Sequence, residues 1–177
     1  MNKSSIRMAI ENISRLTAES LFRRCLLVLC VMTISGCDRE AENVAYDTVL
    51  GPSIVSSSLV GRWQVINYWA TWCGPCITEI PELNELAEDR ADSLVVLGVD
   101  FDAPAAPADA RASIEKMGIE FPVLARDPSA RWGLSMPEVL PTTVLINPKG
   151  ELHQILVGPQ TQASILGAMA ATSIASE

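Results

Sequence analysis

The chain has 177 residues, 49% hydrophobic side chains and a formal net charge of −8. This length suits one domain with appendages, and the apolar fraction is sufficient for a packed core. The negative charge argues against nucleic acid as a partner, because the phosphate backbone binds basic surfaces.

The charge is distributed unevenly along the chain. Residues 1–36 carry five basic and two acidic side chains, whereas residues 37–177 carry 8 basic and 19 acidic ones, a net charge of −11. A basic leader before an acidic body is typical of an exported protein, because positive charge stays on the cytoplasmic side of the membrane.

An apolar run over residues 25–34 follows Arg23 and Arg24. The run is too short to cross a bilayer comfortably, and it has the length of a signal-peptide core. We therefore predict a signal peptide over residues 1–36, with translation starting at Met1 or Met8. An uncleaved signal anchor is the alternative.

The leader ends at Gly36 and is followed by Cys37, and the sequence Ile34-Ser35-Gly36-Cys37 resembles the lipobox of bacterial lipoproteins. The resemblance implies cleavage before Cys37 and a lipid on its sulfur, which would hold the protein on a membrane without a spanning helix. Asp38 resembles an inner-membrane retention signal, which implies the periplasmic face of the inner membrane. Residues 37–52 are polar without a clear period, and we predict that they form a lipidated tether.

Residues 53–177 are predicted to form one domain in which strands and helices alternate. Strands are expected over residues 53–60 (a short edge strand and turn), 63–70, 94–99, 121–124, 141–146 and 151–157, and helices over 74–90, 109–117 and 161–175, with a helical turn at 127–132. Continuous apolar runs favour central parallel strands, and Pro81 is expected to kink the first helix. The order predicts an α/β sandwich around a mixed sheet.

The segment Trp72-Cys73-Gly74-Pro75-Cys76 lies between a predicted strand and a predicted helix. A helix N-terminus presents unpaired N–H groups and the positive end of the helix dipole, and both stabilise a thiolate. Since the thiolate is the species that attacks a disulfide, this segment predicts thiol–disulfide exchange.

Cysteine usage supports the same chemistry. The chain has five cysteines, of which Cys25 and Cys30 lie in the predicted leader and Cys37 is the predicted lipidation site. Cys73 and Cys76 are then the pair that remains free in the mature chain, so the expected disulfide is short and redox-active.

The motif and the element order resemble the thioredoxin fold over residues 53–175, in particular membrane-anchored bacterial thiol–disulfide oxidoreductases of the TlpA and ResA kind. Residues 67–73, Asn-Tyr-Trp-Ala-Thr-Trp-Cys, nearly reproduce the pattern of these proteins, and Leu140-Pro141-Thr142-Thr143 resembles their cis-proline loop. Residues 100–117 match their helical insertion. The resemblance implies a thioredoxin fold with an N-terminal strand and turn, and no cofactor beyond the redox disulfide.

The resemblance also implies roles for individual residues. Cys73 is expected to be the exposed nucleophile, and Cys76 the more buried resolving thiol. Glu79 is expected to shuttle a proton to or from Cys76, the alternative being a solvated helix acid. Asn67 is expected to orient water or Glu79, or to satisfy local backbone groups. The expected client contacts are Trp72, Gly74, Pro75, Leu140, Pro141 and Thr142, and the expected structural supports are Asn67, Trp69 and Pro81.

The direction of electron flow is the more open question. Gly74-Pro75 resembles the reducing thioredoxins, and a dithiol outside the cytoplasm needs an electron source. The resemblance implies a membrane donor of the DsbD or CcdA kind and disulfide-containing client proteins, with apocytochrome c as one candidate. A disulfide oxidase or isomerase is the alternative, and a non-catalytic thioredoxin-fold binding module is a second.

No metal is expected. A structural zinc site needs four ligands, and two cysteines with the lone His153 do not supply them. His153 is expected to be a solvated residue of the predicted hairpin. A Sco-type copper chaperone would need three residues between its cysteines, and a peroxidase of the peroxiredoxin kind would need a different spacing before its cysteine.

Overall fold

The computed structural model describes residues 44–104 and 106–171. The predicted signal peptide, Cys37 and the first part of the predicted tether lie outside these residues, as does the end of the last predicted helix. Within the described ranges, no helix is long and apolar enough to cross a membrane.

Within the described residues, seven strands form two sheets. They are β1 (Ala45–Tyr46), β2 (Ile54–Val55), β3 (Trp63–Trp69), β4 (Leu94–Asp100), β5 (Val123–Leu124), β6 (Thr142–Ile146) and β7 (Leu152–Val157). The large sheet has the order β5-β4-β3-β6-β7. Its first three strands run parallel, whereas β6 pairs antiparallel with both β3 and β7. The predicted mixed sheet is therefore confirmed, with the two long apolar strands β3 and β4 inside it.

In the described part of the chain three α-helices accompany the sheet, and their ends follow from local sequence. They are α1 (Gly74–Asp89), α2 (Pro107–Met117) and α3 (Gln162–Ala170). Helix α2 ends at Gly118, which adopts a left-handed conformation with φ of 68°. Helix α3 begins with a capping box between Thr161 and Ser164. Pro81 lies inside α1, which continues on both sides of it.

The two faces of the large sheet have different covers. One buried cluster joins residues of β3 to all three helices, and its members include Val65, Ile80, Leu83, Ile114 and Ile165. The other cluster contains strand residues alone, such as Ile66, Tyr68 and Val144. Half-buried side chains outside the three α-helices pack on it, including Tyr46, Ile54, Leu134 and Trp132, the last at the end of a 3-10 helix over Ser129–Trp132. The helices are therefore gathered on the face that continues into the Cys73–Cys76 segment.

The prediction that residues 37–52 form a tether is wrong for residues 44–52. Strand β1 pairs with β2, and Thr48 bridges to Leu124. The backbone N–H of Val49 donates to Val123 O at 2.8 Å, and that of Ala125 donates to Asp47 O at 2.8 Å. The folded domain therefore begins before Ser53, because this segment pairs with the outer side of β5.

Candidate active site

The two cysteines of the predicted redox pair are joined by a disulfide at the start of α1. The S–S distance is 2.01 Å and the Cα atoms are 5.3 Å apart. Cys73 is the N-cap of the helix, and its Sγ accepts a hydrogen bond from Cys76 N at 3.2 Å. This donor belongs to the first turn, where backbone N–H groups lack helical partners and favour a negative sulfur. The geometry is that of an activated thiol with a resolving partner.

The pair is less accessible than the sequence predicts. Cys73 is 4% exposed and Cys76 is fully buried, so the expectation of an exposed Cys73 is wrong for the disulfide form. Cys73 is still the more accessible of the two. Its neighbours Trp72, Gly74 and Pro75 are exposed. A client disulfide would therefore approach over these three residues.

Trp72 and Trp69 have different surroundings. Trp72 is 64% exposed. Its Nε1 donates to Asp102 Oδ2 at 2.9 Å, and its ring meets Phe101 edge to face at a centroid distance of 6.2 Å. Trp69 is fully buried in the core, where an expected structural support would lie. Asp102 and Phe101 were missed by sequence reasoning, because they come from the loop after β4.

Glu79 lies about one helical turn beyond Cys76 and is 1% exposed, so the alternative of a solvated helix acid is wrong. Asn67 Nδ2 donates to Glu79 Oε1 at 2.7 Å, which is the contact that the sequence suggested. Gln160 N donates to Glu79 Oε2 at 2.9 Å, a contact that the sequence did not reveal. Burial raises the pKa of Glu79, and the two donors oppose that rise because they favour the carboxylate. A carboxyl balanced in this way is suited to proton transfer.

The predicted cis-proline loop is present. The Leu140–Pro141 peptide bond is cis. Thr142 pairs with Tyr68 at the end of β3, so the loop lies at the same end of the sheet as the disulfide segment. Pro141 O accepts from Gly158 N at 2.9 Å.

The side chains of this loop differ from the predicted contact set. Thr142 is 2% exposed, and its Oγ1 donates to Val139 O at 2.7 Å, so its side chain is directed inward and not toward a client. Pro141 is also buried and Leu140 is half-buried, whereas Val139 is 53% exposed. The accessible apolar side chain here is therefore Val139, which sequence reasoning missed.

His153 lies on β7 as predicted, but it is not solvated. It is half-buried, its Nε2 is 2.9 Å from Ala168 O, and its ring meets Trp63 edge to face at a centroid distance of 4.9 Å. Among the described residues no group of three His, Cys, Asp or Glu side chains is arranged to hold a metal ion. His153 thus joins β7 to α3 through packing and a hydrogen bond.

The fold and the cysteine pair define a thiol–disulfide oxidoreductase with a thioredoxin fold. The chain belongs to the AhpC/TSA family, which matches residues 37–155. The thioredoxin-like protein YneN of Bacillus subtilis is 29% identical over 125 residues, covering 70% of this chain and 73% of that protein. The thiol-disulfide oxidoreductase ResA of Bacillus anthracis is 29% identical over 129 residues, covering 73% of this chain and 74% of that protein.

Solved structures show the same fold. StoA from Bacillus subtilis superposes with a TM-score of 0.57 at 21% identity, over 71% of this chain and 94% of that one. The exposed lipoprotein thioredoxin Etrx1 from Streptococcus pneumoniae also gives a TM-score of 0.57, at 26% identity, over 71% of this chain and 96% of that one.

Proposed function

We propose that this protein reduces disulfides of client proteins outside the cytoplasm. The Cys73 thiolate attacks a client disulfide, which forms a mixed disulfide and releases one client thiolate. Cys76 then loses its proton and attacks Cys73 Sγ, which releases the second client thiolate and leaves the Cys73–Cys76 disulfide. Two electrons pass from the protein to the client in each cycle.

The observation that carries the exchange chemistry of this proposal is the buried carboxyl of Glu79, one turn beyond the buried Cys76. Resolution requires Cys76 to lose its proton, and Cys76 is fully buried, so bulk water does not reach it directly in this structure. Glu79 takes that proton. Burial raises its pKa, and two hydrogen-bond donors stabilise the ionised carboxylate that accepts the proton. In the reverse direction it returns the proton.

Sequence features support the reducing direction and the location. Gly74-Pro75 between the cysteines is the dipeptide of reducing thioredoxins. The basic leader, the lipobox-like residues up to Cys37, and Asp38 support a lipid anchor on the periplasmic face of the inner membrane. One of the similar structures is itself described as an exposed lipoprotein thioredoxin.

The cycle needs a supply of electrons, because disulfides persist outside the cytoplasm. A membrane thiol reductase of the DsbD or CcdA kind is the donor class that fits an anchored dithiol. Apocytochrome c is the proposed client, since its two cysteines must be reduced before haem is attached. A broader set of disulfide-containing clients would use the same surface.

The first test is the reduction potential of the Cys73–Cys76 pair in the full-length protein, measured against glutathione or thioredoxin. A reductase gives a value of about −250 mV or below, in the range of thioredoxin. A value of about −120 mV, that of a strong periplasmic oxidant, would overturn the direction and favour disulfide donation. Cys73→Ser is the control, because serine is close to cysteine in size and should keep the fold, whereas the redox couple is removed.

The anchor is tested separately by metabolic labelling with a radioactive fatty acid. The wild-type chain incorporates the label and partitions into detergent, whereas Cys37→Ser does neither. A Cys37→Ser chain that stays labelled would show that the lipid is attached elsewhere.

A further inference from the structure

The amide of Asn67 connects the proton-accepting carboxyl to strand β6. Its Nδ2 donates to Glu79 Oε1 at 2.7 Å and to Thr143 Oγ1 at 3.1 Å. Asn67 and Thr143 are direct neighbours in the β3–β6 register, and both side chains are fully buried. Both N–H groups of one amide are therefore used, one on the carboxyl and one on the hydroxyl.

The orientation of this amide matters because its two ends are chemically opposite. An ionised carboxylate only accepts hydrogen bonds, so Nδ2 stabilises it and Oδ1 would repel it. Asn67 Oδ1 has no hydrogen-bond partner among the described residues. The amide is therefore held at its nitrogen end alone, by Glu79 and Thr143 together. A buried N–H without an acceptor is costly, so loss of the Thr143 hydroxyl would weaken the hold on this orientation.

We propose that Thr143 is a positioning residue for the redox reaction: it holds the Asn67 amide so that Nδ2 stays on Glu79. The inference rests on the proton-transfer role of Glu79 proposed above. Among the described residues no hydrogen bond joins Thr143 to either cysteine, and its hydroxyl acts through Asn67. Its hydroxyl keeps Glu79 able to receive the Cys76 proton.

The second oxygen of Glu79 is tied to the same part of the fold. Gln160 N holds Oε2, and Gly158 N, in the same loop, donates to Pro141 O. Both carboxylate oxygens are thus held by groups connected to residues 141–143, which include the cis-proline. The backbone donor of Gln160 cannot be removed by a side-chain substitution, whereas the Thr143 hydroxyl can.

The nearest titratable residues along the chain are Cys73 and Cys76 before Glu79 and Glu82 after it. Cys73 and Cys76 precede it on α1, and Glu82 follows it, with its Oε2 accepting from Gln162 N at 3.1 Å. Asn67 on β3, Thr143 on β6 and the Gln160 backbone on the loop before α3 are neutral. In the disulfide form the cysteines do not titrate, so the titration of Glu79 can be followed without them.

The test compares Thr143→Val with Thr143→Ser in the full-length protein. Valine keeps the shape and removes the hydroxyl, whereas serine keeps the hydroxyl. The carboxyl carbon of Glu79 is titrated by ¹³C NMR in the disulfide form. We expect the pKa of Glu79 to move upward in Thr143→Val, since the carboxylate loses an ordered donor, and to stay at the wild-type value in Thr143→Ser.

A kinetic measurement accompanies the titration. The reduced protein is mixed with oxidised glutathione, and closure of the Cys73–Cys76 disulfide from the mixed disulfide is followed between about pH 5 and pH 9. We expect Thr143→Val to close about fivefold more slowly at neutral pH, equivalent to about 1 kcal/mol, with the pH profile displaced upward. Thr143→Ser restores the wild-type profile. Thr143→Ala removes the same hydroxyl and gives the same result if the valine variant does not fold.

Glu79→Gln separates the role of Glu79 from the role of Thr143. If Glu79→Gln leaves the pH profile of closure unchanged, the proton-transfer role of Glu79 is wrong. If Glu79→Gln changes the profile but Glu79 titrates normally in Thr143→Val and Thr143→Ala, the role of Thr143 is wrong while that of Glu79 stands. An equal displacement in Thr143→Ser and Thr143→Val would also overturn the inference, because the hydroxyl would then not be the cause.

Discussion

Gly98 on β4 lies against buried side chains of the core. A Cβ at this position would lie 3.0 Å from Trp69 Nε1, 3.1 Å from Val123 Cγ2 and 3.2 Å from Phe121 Cε2. Trp69 is fully buried and Phe121 is 5% exposed, so neither ring can retreat into solvent. Replacement of Gly98 by alanine should therefore force the surrounding core apart.

The size of the effect follows from two opposing contributions. Overpacking of a dense core costs about 1–3 kcal/mol. Alanine has less conformational freedom than glycine in the unfolded chain, which stabilises the folded protein by about 0.4–1 kcal/mol. We expect Gly98→Ala to lower the free energy of unfolding by about 1–2 kcal/mol.

Gly167→Ala is the matched control. Gly167 lies inside α3, and a Cβ there meets no atom within 4 Å. The same substitution should raise stability by about 0.5–1 kcal/mol, because alanine is the better helix former. Both variants are measured by urea unfolding of the disulfide form. A Gly98→Ala protein as stable as wild type, or two variants that shift in the same direction, would refute the packing argument.

Three further predictions concern the site. Burial raises the pKa of Glu79 above its ordinary value of 4.5, so the stability that this group supplies is present below about pH 4.5 and is lost as pH rises. Glu79→Gln should therefore gain stability relative to wild type from about pH 4.5 upward in urea unfolding, and a pH-independent difference would contradict this. Tyr68→Phe removes the bond from the Tyr68 hydroxyl to Asp127 Oδ1 at 2.7 Å and should cost about 1–3 kcal/mol, with the reduction potential unchanged. Cys76→Ser should accumulate mixed disulfides between Cys73 and client proteins on non-reducing gels, and an absence of such adducts would argue against Cys73 as the nucleophile.

The sequence predicts the parts of this fold that depend on local pattern. The apolar runs of β3 and β4, the predicted helix that became α2, and the predicted strands that became β6 and β7 all indicate their structure within a few residues. The same holds for the cysteine pair, since its chemistry depends on two residues at the start of one helix. The cis-Leu140–Pro141 bond was accessible only through the family resemblance.

The remainder of the site depends on contacts between distant residues. The backbone donor of Gln160 meets Glu79 across 81 positions, and no side-chain type marks it. Residues 44–52 resemble a polar tether because their strand β1 is two residues long, too short for a period to show. The burial of Cys73 and His153 likewise depends on what packs over them, which composition does not reveal.

The N-terminal segment also covers one margin of the large sheet. Residues 47–49 occupy the outer side of β5, whereas β7, within the part of the chain that the structure describes, pairs on one side alone. Ile155 and Val157 are 44% and 62% exposed on that strand. Two copies joined edge to edge would therefore meet through β7, the margin of the large sheet that no described segment covers. A truncated chain starting at Ser53 would expose both margins and would be the form prone to open-ended polymerisation.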